Sequence, residues 1–153
     1  MRMNRNCKAF LDMIAWSEGT LGRGDNGYNV LVGGDLFEGY ADHPRKKIKV
    51  RDGLWSTAAG RYQILARNFD FYSRYLGLKG FGPASQDAIA MHMLGECHAL
   101  EDIDAGRIER AVRKCASRWA SFPGSGYKQP ERSMAKLLDA YTRAGGTFGP
   151  MHD

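Results

Sequence analysis

The stretch Cys7-Lys-Ala-Phe-Leu-Asp-Met-Ile-Ala-Trp-Ser-Glu-Gly19 sets the fold. Cys7, Phe10, Leu11 and Ile14 recur at i, i+3, i+4 and i+7, the spacing that puts side chains on one face of an α-helix. The next position on that face is Glu18, and Gly19 behind it is a natural helix stop. The expectation is a helix whose core-facing stripe ends in a carboxylate. Burial of a carboxyl there disfavours its charged form and raises its pKa, and the C-terminal end of a helix dipole acts the same way. An acid that keeps its proton near neutral pH suits the protonation of a leaving oxygen. The other reading of Glu18 is a helix-end glutamate that turns to solvent.

Beyond this helix, residues 22–57 change character. Glycine is dense (Gly22, Gly24, Gly27, Gly33, Gly34, Gly39 and Gly53) and Tyr28-Asn-Val-Leu-Val32 is strand-like. Gly33-Gly34 is a hairpin signal, Asp35–Tyr40 reads as the return strand, and Lys46–Arg51 as a third strand before an Asp52-Gly53 turn. Helical period returns from Gly60. Helices are expected from Ile64 to near Gly77, from Pro83 through Leu100, from Ile108 to Trp119, and from Pro130 through Tyr141 to a stop at Gly145-Gly146. Segregated strands and helices make an α+β fold with a small three-stranded antiparallel sheet. The 153 residues fit one domain, 1–153, with a sheet lobe over 22–57 and a loose tail over 147–153. A cleft between sheet and helices is the natural place for a ligand.

Composition narrows the class. Hydrophobic residues at 43% and charged residues at 25% are ordinary for a globular chain. The net charge of +5 favours an anionic partner without choosing among nucleic acid, anionic lipid and acidic polymer. Three widely spaced cysteines are no disulfide framework and point to folding in a reducing compartment. No apolar run approaches the roughly 18 residues of a membrane span. Arg2, Arg5 and Lys8 ahead of Ala9–Trp16 faintly mimic a signal peptide, but Asp12 interrupts it and Glu18 stands where a cleavage site should be. No cleaved signal is expected, and synthesis is expected in the cytoplasm.

Other motifs carry weaker chemistry. A glycosidase usually pairs two carboxylates, and Asp25, Asp35, Glu38 and Asp42 all lie in the sheet region with nothing to choose between them. The run His43–Arg51 holds five positive charges, read either as a grip on an anionic polymer or as a lysine-guarded strand edge. No zinc-finger spacing or RNP-like motif accompanies it, so nucleic acid is not the expected partner. His92, Glu96, Cys97 and His98 lack the His-x-x-x-His zinc spacing, and no metal or other cofactor is expected. Cys97 and Cys115 read as core thiols. Ser56-Thr-Ala-Ala-Gly-Arg-Tyr-Gln63 reads as a groove lining for a sugar, or as a plain loop that caps the next helix through Ser56 or Thr57.

Taken together, several blocks resemble the bacteriophage lambda lysozyme family. They are Phe10–Thr20, Tyr28–Phe37, Asp42-His-Pro-Arg45, Ala59–Leu65, Ser85-Gln-Asp-Ala88 and Trp119–Tyr127, in that order and spread over Cys7–Gly146. Residues 20–26 and 46–57 and the C-terminal tail depart from the family pattern, which bears on the shape of the cleft lips. The family consists of phage endolysins that are lytic transglycosylases with a lysozyme-like helical body. The resemblance implies cleavage of the β-1,4 bond between N-acetylmuramic acid and N-acetylglucosamine in peptidoglycan, with 1,6-anhydro ends. It places the catalytic acid on Glu18 and supplies no dedicated catalytic Asp. It implies a glycan cleft lined by Ser56, Thr57, Gly60, Tyr62, Gln63 and Tyr127, with Gln63 and Tyr62 positioning the muramoyl residue and Asp42 and His43 ordering the sheet. It points to a Gram-negative host; without a signal the enzyme is expected to collect in the host cytosol and to need a holin to reach the periplasmic wall, and a monomer is the default expectation. Two further readings stay open: a hydrolytic lysozyme with Asp35 or Asp42 activating water, and a non-catalytic basic binding module.

Overall fold

The computed structural model describes residues 3–127 and 129–150. Its elements in chain order are α1 (Arg5–Ser17), β1 (Ile48–Arg51), β2 (Leu54–Ser56), α2 (Ala66–Leu76), α3 (Pro83–Glu96), α4 (Leu100–Asp104), α5 (Ile108–Cys115) and α6 (Met134–Arg143). The α+β class therefore holds. The chain divides into two compact units: one holds the chain up to Ser17 and again from Met91, and the other is Glu18–Ala90. No helix among the described residues is long and apolar enough to cross a membrane.

The first unit is helical. Asn4 starts α1 by accepting the Cys7 amide through its side chain at 2.8 Å. Ala9, Phe10, Leu11, Met13, Ile14 and Ala15 are each at most 2% exposed, so α1 is buried on nearly all sides rather than along one stripe. It packs on α4 and α6, and Phe10 meets Phe122 edge-on with ring centroids 6.5 Å apart. On α4, Asp102 is 2% exposed and is held by Lys114 at 2.6 Å and Arg107 at 2.8 Å. Burial pushes its carboxyl up, but the hydrogen bonds from Lys114 and Arg107 outweigh that and hold it below the usual carboxylate range.

Three helix expectations are corrected here. The helix begun at Pro83 stops at Glu96, because His98 adopts φ 58 and α4 starts afresh at Leu100. The helix begun at Ile108 ends at Cys115 rather than Trp119. The last helix starts after Ser133, not at Pro130, because the Ser133 hydroxyl caps it by accepting the Lys136 amide. The tail is corrected too, since residues 147–149 are tied down. Thr147 donates its amide (3.1 Å) and hydroxyl (2.9 Å) to the Asn6 side chain, and its carbonyl accepts Tyr141 Oη at 2.8 Å. The Gly149 amide reaches the Gly106 carbonyl at 3.3 Å. A buried asparagine needs such partners, and the tail supplies them. Residues 151–153 lie outside the described part.

The second unit corrects the strand count from three to two. β1 and β2 form an antiparallel hairpin across the Asp52-Gly53 turn, with a bulge between Lys49 and Arg51. The expected strands over 28–32 and 35–40 keep a single bridge, Val30 to Leu36. The reason lies in the backbone hydrogen bonds. Val32 donates to Ala58 (3.0 Å) and Val30 accepts from Gly60 (2.8 Å), so 30–32 divides its bonds between the segment 58–60 and the return segment, where the Leu31 amide meets the Asp35 carbonyl at 2.7 Å. Gly33 and Gly34, at φ 88 and 106, make the turn as expected. Beneath lies an aromatic cluster of Phe37, Phe69, Phe81 and His43.

Candidate active site

The site candidates are reached along the chain. α1 ends at Ser17, one residue sooner than expected, so Glu18 sits in a turn with Gly19 at φ 77. Glu18 is half-buried. Two residues on, Thr20 is 1% exposed and its hydroxyl donates to the Arg61 carbonyl at 2.6 Å. That bond fastens the turn carrying Glu18 to the segment Gly60–Gln63.

Gly60–Gln63 is itself held rigidly. Gly60 has φ +84, and a Cβ there would lie 2.3 Å from Gln86 Oε1, so only glycine fits. The Gln86 side chain is fully buried; it accepts the Arg61 amide (2.9 Å) and donates to the carbonyls of Tyr28 (3.0 Å) and Phe81 (2.8 Å). Arg61 is 4% exposed, lies against the rings of Tyr28 and Tyr62, and donates to the Asn26 carbonyl at 2.9 Å. Asp87 accepts both Tyr62 Oη (2.6 Å) and Tyr28 Oη (2.9 Å). Burial, then the Asp87 charge, pushes the Tyr62 hydroxyl well above its ordinary value, so it stays a neutral donor.

The other candidates divide by what they bond. Gln63 is half-buried at φ 54, and its amide nitrogen donates to the carbonyls of Gly60 (2.9 Å) and Val30 (3.2 Å). Thr57 Oγ1 accepts the Ala66 amide at 3.0 Å, so it caps α2 from nine positions upstream. Ser56 Oγ accepts the Ala58 amide at 3.1 Å. Tyr62 is 1% exposed and works from within the wall. Tyr127 belongs to the other unit; it is half-exposed, with its hydroxyl on the Ser117 carbonyl at 2.5 Å. The structure thus links Glu18, Gly60, Tyr62 and Gln63 through one bonded frame, while Ser56 and Thr57 serve neighbouring backbone.

Sequence reading missed Thr20, Arg61, Gln86 and Asp87 as the members of that frame. Only a pattern of polar residues at buried positions signals them, and no single periodicity reveals it.

The acids of the Glu18–Ala90 unit sort in the same way. Asp25 accepts Tyr40 Oη at 2.6 Å. Asp42 and Asp70 share Arg45, whose hydrogen bonds hold both below the usual carboxylate range. Asp52 pairs with Lys49 at 3.0 Å, and Asp87 holds the two tyrosines. Asp35 and Glu38 are exposed. His43 is 2% exposed; Nδ1 accepts the Arg45 amide at 2.9 Å, so Nε2 carries the proton given to the Ile64 carbonyl at 2.8 Å. Among the described residues no cluster of three or more His, Cys, Asp or Glu could hold a metal ion.

The Endolysin family model matches residues 8–148. The chain belongs to the endolysin family. It is 50% identical over 151 residues to the endolysin of Escherichia phage lambda, covering 96% of each chain. It is 44% identical over 156 residues to the endolysin of Escherichia phage P2, covering 94% of each. Among solved structures it matches bacteriophage lambda lysozyme complexed with a chitohexasaccharide, with a TM-score of 0.95, 48% identity, and 97% and 99% of the two chains covered. A second structure of lambda lysozyme matches with a TM-score of 0.89, 47% identity and the same coverage. As an endolysin the chain is a phage enzyme that degrades the bacterial cell wall.

Proposed function

We propose that this endolysin is a lytic transglycosylase with Glu18 as its one catalytic carboxyl, cutting the bond between N-acetylmuramic acid and N-acetylglucosamine. The observation that carries the reading is the placement of acids. Glu18 is half-buried on a turn that Thr20 fastens to the Gly60–Gln63 segment, while Asp35 and Glu38 of the same unit are exposed. The hexasaccharide bound by the lambda lysozyme neighbour supports a glycan chain as ligand.

A single carboxyl suffices when the nucleophile belongs to the substrate. Protonated Glu18 gives its proton to the glycosidic oxygen as the bond from C1 breaks. The resulting carboxylate then takes the proton of the muramoyl 6-hydroxyl as that oxygen bonds to C1. The products are a 1,6-anhydro end and a free 4-hydroxyl, no water is consumed, and Glu18 regains its proton. The nucleophile is tethered, so its translational entropy is already lost before reaction. Gln63 holds the muramoyl residue, and Tyr62 with Asp87 and Arg61 keeps the Gly60–Gln63 segment in place behind it. Ser56, Thr57 and Gly60 border the glycan.

The same reading has the enzyme act as a monomer, made in the host cytosol and reaching the periplasmic wall through a holin lesion, with the +5 charge favouring retention near anionic wall polymers. The test is Glu18→Gln. Release of soluble fragments from purified Gram-negative peptidoglycan should fall at least ~100-fold while the circular dichroism spectrum is unchanged. A folded Glu18→Gln protein that still lyses walls would overturn the assignment.

A further inference from the structure

Cys97 lies one residue beyond α3 and Cys115 is the last residue of α5. Two contacts clasp these chain ends on either side of the pair. Lys114 Nζ donates to the His98 carbonyl at 3.0 Å, and Arg118 donates to the Glu96 carboxylate at 3.0 Å. Between these clasps the Cys115 thiol is hydrogen-bonded to the Cys97 sulfur. Cys115 is fully buried, whereas Cys97 is half-buried and open on one side. Reading both as inert core thiols therefore fails for Cys97. The remaining cysteine, Cys7, is buried and faces Asp104 Oδ1 at 3.8 Å.

We propose that Cys97 and Cys115 are a redox-modifiable dithiol, which closes to an intramolecular disulfide when the protein meets a small-molecule or protein disulfide. The two thiols face each other on chain ends that the flanking clasps hold together, the placement from which a bridge can close. The order of events follows from accessibility. Cys97 loses its proton, and its thiolate attacks one sulfur of the external disulfide, giving a mixed disulfide and expelling one thiolate. Cys115 then loses its proton and attacks Cys97 Sγ, forming the Cys97–Cys115 bond and expelling the second thiolate. Two protein thiols are oxidised and one external disulfide is reduced to two thiols. The hydrogen bond from Cys115 pulls the Cys97 thiol down from its ordinary value, with the Arg118 guanidinium adding to it, while that bond and burial push Cys115 up. Cys97 is thus the attacking thiol and Cys115 the resolving one. The bond would pin the turn after α3 to the end of α5. A bacterial periplasm supplies protein disulfides of the required class; that setting rests on the proposed route to the wall, while the chemistry does not.

The test treats folded, reduced protein with oxidised glutathione and then removes the reagent. Free thiols are titrated in denaturant, and unreduced tryptic peptides are mapped by mass spectrometry. The expected result is a fall from three free thiols to one, Cys7 remaining reduced, with a cross-linked peptide containing Cys97 and Cys115 that dithiothreitol releases. The partly exposed Cys97→Ser should fold and keep both of its thiols, because buried Cys115 has lost the partner that admits the oxidant. Stable glutathione on Cys97, a bridge involving Cys7, a disulfide between two molecules, or no reaction by the folded wild type would each overturn the proposal.

Discussion

Replacing Gly60 by alanine would set a methyl carbon 2.3 Å from Gln86 Oε1 and 2.8 Å from Gln86 Cδ, on a backbone at φ +84. Gln86 has no free direction to move, since it is fully buried and makes three hydrogen bonds to the backbone at Arg61, Tyr28 and Phe81. Displacing it loses those bonds, at about 1 kcal/mol net for each, and an alanine in the left-handed region adds about 1 kcal/mol. Gly60→Ala should therefore cost about 3–4 kcal/mol, a large share of the 5–15 kcal/mol typical of a domain. Urea unfolding followed by circular dichroism measures it. The decisive form is a double-mutant cycle. Gln86→Ala alone should cost about 3 kcal/mol by the same loss of bonds, but it also removes the two nearest obstructing atoms, leaving Phe81 Cζ at 3.0 Å with space into which to shift. Gly60→Ala in that background should then cost only about 1 kcal/mol, leaving a coupling of about 2–3 kcal/mol. Additivity within about 0.5 kcal/mol, or a Gly60→Ala cost below about 1 kcal/mol, would refute this account of the frame behind the site.

Two further perturbations probe the surrounding structure. His43 accepts at Nδ1 and donates at Nε2, so it is neutral when folded, and burial holds its pKa below the ordinary value. The unfolded chain takes up its proton below about pH 6.5 while the folded chain resists, so this stability is present above about 6.5 and is lost as pH falls through the folded pKa. The urea midpoint of the wild type should drop on going from about pH 7.5 to about pH 5.5, and more steeply than that of His43→Gln; equal slopes would refute the role. Asn6→Ala strips partners from the Thr147 amide and the Ile103 carbonyl and should cost about 2 kcal/mol. It should also speed amide hydrogen exchange at Thr147; unchanged exchange there would mean that the tail is held by other contacts.

The sequence disclosed the fold class and singled out Glu18 as the candidate acid because both readings depend on local pattern. Phe10, Leu11 and Ile14 announce α1, and the next step of their spacing lands on Glu18. What stayed hidden depends on distant partners. Tyr28–Val32 has every local mark of a strand, yet it splits its backbone bonds between Asp35 and Phe37 on one side and Ala58 and Gly60 on the other, instead of forming a full ladder with a return strand. His98 breaks the helix at φ 58, while the nearby glycine, Gly95, lies inside α3 and does not mark the break. The frame of Thr20, Arg61, Gln86 and Asp87 joins positions up to 59 residues apart through single hydrogen bonds such as Thr20 to Arg61 and Tyr28 to Asp87, which leave no periodic trace. The Cys97–Cys115 contact escaped for the same reason: each thiol fits an apolar stripe, and only the fold sets one against the other.

The central claim is that one carboxyl, Glu18, drives an intramolecular displacement, and the products record it. The most direct measurement is mass spectrometry of muropeptides released from purified Gram-negative peptidoglycan by the wild-type enzyme. The account predicts 1,6-anhydromuramoyl ends, each one water lighter than a hydrolytic product. Free reducing muramic acid as the main end would contradict it, and would redirect attention to exposed Asp35 as a water-activating base.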